Sequence, residues 1–324
     1  MARTDTLGNF LTDVADAIRE KKGTTDTILA SNFDTEIASI ESGVDINEYL
    51  SDTITKGTSS SGGWLKTIIK LRSPLTVEGT SAEYMFYKYL LNELPQLDTS
   101  NVTNMSYMFD GCTNLTTIPQ LDTSNVNRMY NMFSSCTKLT TIPQLDTSNV
   151  VDMGQMFYHC TNLTTIPQLD TSNVTSMSYM FGSCTNLTTI PQIDTSSVTN
   201  MAYMFNDCIN LTTIPQLNGE KLTVVAGAFS YCKSLENFNG IINLGQEYLT
   251  TQSANYSNYK LDLSNSTKLT EQSIINILNN LYDIATKGCN TQTVTLGATN
   301  LAKLTSTEGQ QALASATAKG WTIS

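Results

Sequence analysis

The sequence predicts an α/β solenoid with 24-residue coils, a helical N-terminal segment and longer βα repeats as a C-terminal cap. Three observations predict it. Cys112, Cys136, Cys160, Cys184, Cys208 and Cys232 keep a spacing of 24 residues without slippage, as do Phe109, Phe133, Phe157, Phe181, Phe205 and Phe229. The half-unit LTTIPQLDTSNV begins at Leu115, Leu139 and Leu163, and returns at Leu187 with two changes. Beyond Asn237 the period stops, and short apolar runs alternate with longer amphipathic ones. A fixed period of this length marks a chain whose units bury their apolar faces only against their neighbours.

Within one coil, Met105, Met108, Phe109 and Cys112 fall at i, i+3, i+4 and i+7, which reads as one face of a short helix. The set recurs as Met129, Met132, Phe133 and Cys136, and in the sixth copy becomes Val225, Ala228, Phe229 and Cys232. A helix this short needs its neighbours to hold it. The other half, Leu115 to Val126, reads as a strand limited by Pro119 and followed by Asp-Thr-Ser-Asn turn chemistry. At about 4.8 Å per stacked strand, seven such coils give a rod roughly 30–35 Å long.

These units resemble the BspA-like leucine-rich-repeat family of bacterial and phage surface proteins. The resemblance is carried by Leu115, Ile118, Leu121, the Asp-Thr-Ser-Asn-Val run, Met105, Met108, Phe109 and Cys112, and it covers roughly residues 75–240. It implies a surface-exposed binding scaffold on a leucine-rich-repeat fold.

Taken in order, the chain divides into a helical anchoring or oligomerisation segment (1–42), a linker (43–63), an N-terminal cap with a degenerate coil (64–96), the repeats (97–240) and βαβαβ capping repeats (241–324). In the first, Leu7, Phe10, Leu11, Val14 and Ile18 form one helical stripe that Gly23 ends, and Phe33 and Ile37 belong to a second short helix. Forty residues are too few for an independent core, so this segment is expected to dock on itself or on a partner chain. Its pattern, LTDVADAIREKKGTTDTI followed by SNFDTEIASI, resembles N-terminal segments of tail-fibre and other virion proteins of phages of Gram-positive hosts. The Ser/Gly run at 58–63 reads as flexible, and Trp64 to Ile69 as the opening of the stack. The coil at 81–95 is one residue short between Phe86 and Pro95, as a terminal repeat can be. At the other end, strands are expected at Leu261–Leu263, Thr293–Leu296 and Trp321–Ile323. Helices are expected at Thr270–Ala285 and Thr305–Ala318, with Thr270 and Ser306 as caps.

Composition narrows the function. A net charge of −11 and a pI near 4.5 argue against nucleic acid and anionic membrane surfaces as partners. No apolar run has the length of a membrane-spanning helix, and the opening residues carry no apolar export segment, so secretion by a signal peptide is not expected. Six of the seven cysteines take the buried position of successive coils and are expected as free thiols; no Cys-x-x-Cys zinc spacing occurs.

Catalytic chemistry finds little footing. The single histidine, His159, takes a place held by Gly111, Ser135, Ser183 and Asp207 in other coils, so it is read as a surface residue and no catalytic residue is assigned. Asp98, Asp122, Asp146, Asp170 and Asp194 stack one per coil; each is expected to accept backbone bonds in its own turn, and no metal or cofactor is assigned. Exposed threonine rows run from Thr116 and Thr117 to Thr212 and Thr213. The coils differ from one another mainly in the Met/Phe half. There Tyr107, Tyr130, Tyr158, Tyr179 and Tyr203, with Arg128 and His159, sit among Ser, Asn and Gly. Large rigid rings among adaptable polar neighbours resemble a paratope, and these residues are expected to form a binding face.

The resemblances together imply a non-enzymatic phage virion protein, a tail-fibre or receptor-binding component assembled in the host cytoplasm and located on the virion. It would dock on other virion proteins through residues 1–42, form a homo-oligomer such as a trimer, and bind a host-surface glycan or protein. A head fibre or decoration protein of the same virion type, or a bacterial cell-surface adhesin, would use the same parts. A glycan depolymerase would need a paired carboxylate cleft that one regular Asp row does not offer.

Overall fold

The computed structural model describes residues 53–54, 75–77, 79–88, 94, 96–246, 260–287 and 292–324. Leu7, Phe10, Leu11, Val14, Ile18, Phe33 and Ile37, assigned above to the anchoring segment, lie outside them, as does the Trp64–Ile69 opening.

The repeats form a stack of coils in parallel register. A column of single-residue bridges, Ser81–Asn104–Arg128–Asp152–Ser176–Asn200–Val224, ties every coil to the next. Paired strands occur toward the ends. β1 (Thr53–Ile54), within the segment read as linker, pairs with β2 (Leu75–Val77), and β2 pairs with β3 (Leu97–Asp98). β4 (Thr213–Ile214) pairs with β6 (Asn237–Phe238), and β5 (Leu217–Asn218) with β7 (Ile241–Ile242). Leu115–Ile118, expected as a strand, has no strand in the structure; the continuous ladder runs through the residue before Met105 instead. Pro119 has no N–H to give, and the extended half lies against its neighbours mainly through side chains.

The expected short helix is also absent. Residues 105–112 form two consecutive turns, closed by Met108 N–H donating to the Met105 carbonyl at 3.2 Å and Cys112 N–H to the Phe109 carbonyl at 3.1 Å. The ends of two adjoining four-residue turns fall at i, i+3, i+4 and i+7, the same positions as one helical face, so the apolar spacing could not separate them. What does separate them is where the other amides go. Met105, Tyr107, Phe109 and Gly111 donate to the carbonyls of Arg128, Tyr130, Met132 and Ser134 in the next coil, at 2.8–2.9 Å. A helix would have kept these bonds to itself.

Each pair of turns puts two residues four apart at positive φ: Tyr107 and Gly111, Asn131 and Ser135, Gln155 and His159, Tyr179 and Ser183, Tyr203 and Asp207, Gly227 and Tyr231. A turn of this kind needs a left-handed third residue, and a side chain there costs on the order of 1–2 kcal/mol. Ten of these twelve positions carry one, so the stacking holds a strained backbone in every coil.

The core is a file of identical layers. Phe86, Phe109, Phe133, Phe157, Phe181, Phe205 and Phe229 are fully buried and stack nearly parallel at 5.5–5.8 Å between ring centres. Phe86 keeps this spacing although its coil is one residue short. The six cysteines of the coils are free and buried, and each thiol donates to a phenylalanine carbonyl in the preceding coil, as Cys136 Sγ does to Phe109 at 3.1 Å. Burial pushes the Cys136, Cys160, Cys184, Cys208 and Cys232 thiols up, Cys160 and Cys232 to about 12. Cysteine is therefore both a small apolar filler and a hydrogen-bond donor to a carbonyl that already serves its own turn.

The C-terminal elements close the last coil. β8 (Lys260–Asp262), β9 (Gln292–Thr295) and β10 (Trp321–Ile323) form a parallel sheet in the order β10-β9-β8. α1 (Glu271–Asn279) is capped by Thr270 and α3 (Thr307–Ala318) by Ser306; α2 (Gly297–Leu301) between them was not foreseen. α1 ends six residues earlier than Ala285, where a short 3-10 turn stands instead. α1 lies on the final coil: the Ser273 hydroxyl donates to the Glu236 carbonyl at 2.9 Å and accepts from Phe238 N–H at 3.1 Å. Gly240, at φ +85°, lets the coil reach the helix, since a Cβ there would stand 3.0 Å from the Asn276 carbonyl and 3.1 Å from the Ile277 Cα. Phe238 ends the ring file, tilted at 40° on Phe229.

Two predictions follow from this construction. Phe157→Ala, in the middle of the file, is expected to lower unfolding free energy by about 3–5 kcal/mol in a denaturant titration. Ser183→Val is expected to destabilise by more than about 1 kcal/mol, whereas Ser183→Gly leaves stability equal or raised, because a β-branched residue suffers most at positive φ and glycine not at all.

Candidate functional site

Of the residues assigned to a binding face, Tyr107, Tyr130, Tyr158 and Tyr179 are half-buried and Tyr203 is 37 % exposed; Arg128 and His159 are exposed. The structure gathers the tyrosines into two runs along the turn half of the stack. In the first, Tyr84 stacks on Tyr107 at 4.5 Å and 12°, and Tyr107 meets Tyr130 edge-on at 5.4 Å. In the second, Tyr158 meets Tyr179 edge-on at 5.7 Å, and Tyr179 stacks on Tyr203 at 4.7 Å and 17°. The runs are separated at Gly154 and Gln155, whose amide donates to the Tyr130 hydroxyl. His159 sits at positive φ beside Tyr158, 6.2 Å between ring centres. Arg128 lies in the bridge column between Asn104 and Asp152.

The rings are less available than the sequence suggested. Each tyrosine lies down along the stack onto the next coil, and where no tyrosine receives it, a glycine does. A Cβ on Gly154 would come within 3.0 Å of the Tyr130 ring, one on Gly182 within 3.1 Å of Tyr158, and one on Gly227 within 2.4 Å of Tyr203. Every one of these pairs is 24 residues apart. Variation on this face is therefore coupled between adjacent coils, and the glycine partners could have been found by reading the sequence in steps of 24. Ring faces are spent on packing, which leaves only part of each ring's surface for a partner. Burial, then the neighbouring Tyr130 and Tyr84, pushes the Tyr107 phenol to about 12. Sequence reasoning missed Tyr84, which opens the first run, and Tyr231, 50 % exposed at the far end.

The Asp row lies on the extended half. The Asp122 carboxylate accepts from Ser124 N–H at 3.0 Å and from its hydroxyl at 2.6 Å; Asp98, Asp146 and Asp170 repeat this with Ser100, Ser148 and Ser172. Hydroxyl first and amide second, these bonds hold the four carboxyls below the usual range. Gln120 reaches the Gln144 carbonyl, and Asn125 the Ser100 carbonyl, so side-chain ladders run in parallel beside the carboxylates. Gln144, Asp146, Gln168, Asp170, Gln192 and Asp194 line an open concavity of about 890 Å³. Among the described residues no cluster of three or more His, Cys, Asp or Glu side chains is arranged to hold a metal ion, and no helix is long and apolar enough to cross a membrane.

This architecture defines a repeat protein of stacked parallel coils with a capped C-terminal end. The family described as Mycoplasma protein of unknown function, DUF285, matches residues 80–188 and 162–259, more than half of the chain, and the chain belongs to that family. A solved leucine-rich repeat protein from Bacteroides ovatus is similar at 16 % identity, with a TM-score of 0.23, over 58 % of this chain; the chain spans 64 % of that protein's length. No curated protein matches.

Two outcomes are expected here. In a double-mutant cycle, Gly227→Ala destabilises by about 3 kcal/mol in the wild-type background and by about 1–2 kcal/mol with Tyr203→Ala, because the ring clash goes while the left-handed strain stays. The carboxyls titrate below their unfolded value, so their contribution is present above that value and lost as pH falls through the folded one. Replacing Ser100, Ser124, Ser148 and Ser172 together with Ala should lower the thermal midpoint at pH 7, with the gap from wild type closing as pH drops below about 4.

Proposed function

We propose that this chain is a non-catalytic attachment protein, and that its turn half is the recognition surface. The observation that carries the reading is a division of labour within each coil. The extended half repeats its residues and its side-chain ladders from coil to coil, while the turn half varies tyrosine, glycine and polar residues on an unchanged backbone. Such a frame can present different outer edges without a change of fold. Phenol hydroxyls and ring edges, with Gln155, His159 and Arg128 among them, suit a host-surface glycan or protein.

In the reading that the N-terminal resemblance supports, the chain is a phage virion component, a tail fibre or receptor-binding protein. Residues 1–42 dock it on other virion proteins and assemble a homo-oligomer. The family's description, which names a Mycoplasma protein, points to a bacterial source, and with it a second reading as a bacterial cell-surface adhesin is kept. Immunogold labelling of particles and of cells separates them, since the first needs signal on virions and the second on the cell envelope.

Fluorescently labelled full chain is expected to bind Gram-positive host cells, and His159→Ala with Tyr231→Ala to weaken binding tenfold or more at an unchanged thermal midpoint. Both side chains are exposed, so folding should survive. Equal binding by the double variant would remove the turn half as the recognition surface.

A further inference from the structure

We propose that two tyrosine pairs, Tyr84–Tyr107 and Tyr179–Tyr203, are oxidative cross-linking sites, each able to form one carbon–carbon bond that staples a coil to the next. The geometry singles them out from the other ring contacts. Both pairs are stacked, at 4.5 Å and 12° and at 4.7 Å and 17°. All four residues sit at the same left-handed position of their turns, with φ between 53° and 60°. Equivalent positions in successive parallel coils, with rings this close and nearly parallel, are the arrangement in which carbons ortho to the two hydroxyls can meet. Tyr130 stands one residue before the equivalent position of its coil and Tyr158 three residues after it, and they meet Tyr107 and Tyr179 edge-on, at 70° and 88°, where an edge faces a ring plane instead.

The chemistry balances with a one-electron oxidant of the high-potential peroxidase or photo-generated radical type. Each phenol gives up one electron and its O–H proton, leaving two phenoxyl radicals. These join at ortho carbons, and the hydrogen on each joined carbon moves to the oxygen of its own ring, which restores both phenols. Two tyrosines thus lose two electrons and two protons in all, and the oxidant gains the electrons. Tyr203 is 37 % exposed and the other three rings are half-buried. An electron can leave such rings, while packing within the stack makes the neighbour in the next coil a nearer partner than any second chain.

Placement gives the staples a purpose. One pair joins the degenerate coil to the first regular one, and the other lies towards the C-terminal end of the array. Stacked repeats open from their ends, because a terminal unit has one neighbour. A covalent tie near each end would stop that opening from spreading along the array and suit a protein exposed to an oxidising exterior.

The test treats the full chain with a peroxidase and hydrogen peroxide under conditions in which free tyrosine dimerises. Expected are monomeric product lighter by two hydrogens per bond, dityrosine fluorescence, and linked peptides joining 84 to 107 and 179 to 203. Tyr107→Phe should remove the first link alone and Tyr203→Phe the second alone, phenylalanine keeping the stack without the phenol. The thermal midpoint of the linked protein should rise. Links mainly between chains, links at Tyr107–Tyr130 or Tyr158–Tyr179 as abundant as at the stacked pairs, or oxidation of tyrosine without any dityrosine would each overturn the assignment.

Discussion

Backbone amides of the turn half bond outward, and the rest of the structure depends on this. Along residues 105–112 the N–H groups alternate, one closing its own turn and the next reaching a carbonyl of the following coil. A single coil therefore leaves half of these donors empty, and burying an unpaired amide costs on the order of 1–3 kcal/mol. Only another coil in the same register can receive them. That requirement fixes the period: a slip by one residue would exchange inward and outward amides and move Phe and Met out of the core. On the extended half the C-terminal cap takes the place of a further coil, the Glu236 carbonyl accepting from Thr270 N–H at 3.0 Å and from the Ser273 hydroxyl at 2.9 Å.

The same requirement sustains the strain. Left-handed side chains recur in every coil and are unfavourable singly, yet each belongs to a turn whose other amides are locked to a neighbour. The Phe file and the Cys–carbonyl bonds add a second lock beneath. Above it, tyrosines lie across coil boundaries onto rings or glycines. Interior and exterior therefore follow one axis of repetition. The inner layers repeat the same residues, whereas the outer one varies in matched pairs.

The repeat, its period, its buried set and the capping elements were legible in the sequence, because 24-residue spacing of Phe and Cys needs no structure to be seen. Ser306 and Thr270 were found as caps from residue type alone. The local conformation of the coil was not legible. Met105, Met108, Phe109 and Cys112 satisfy a helical spacing and a double-turn spacing equally, and residues such as Tyr107, Gln155 and Tyr179 give no sign of positive φ, although Gly111, Asn131, Asp207 and Gly227 hint at it. The strand was found only in part: β propensity marked Leu115–Ile118, and the equivalent Thr213–Ile214 does pair as a strand, but the ladder common to the coils follows bond geometry at Asn104 and Arg128. On the candidate site, the tyrosines were found and their exposure overestimated, since each ring's seat lies one coil away and had to be read across the period.

The account's central claim is that inter-coil amides, rather than bonds inside each coil, hold the array. Native-state hydrogen exchange measures this directly. The amides of Phe133, Phe157 and Phe181, which donate to the next coil, should exchange only with global unfolding, and with the same free energy as those of Cys136, Cys160 and Cys184, which close their own turns. If the inter-coil amides exchange quickly while the turn-closing ones stay protected, each coil holds itself, and the stack is a consequence of the fold instead of its cause.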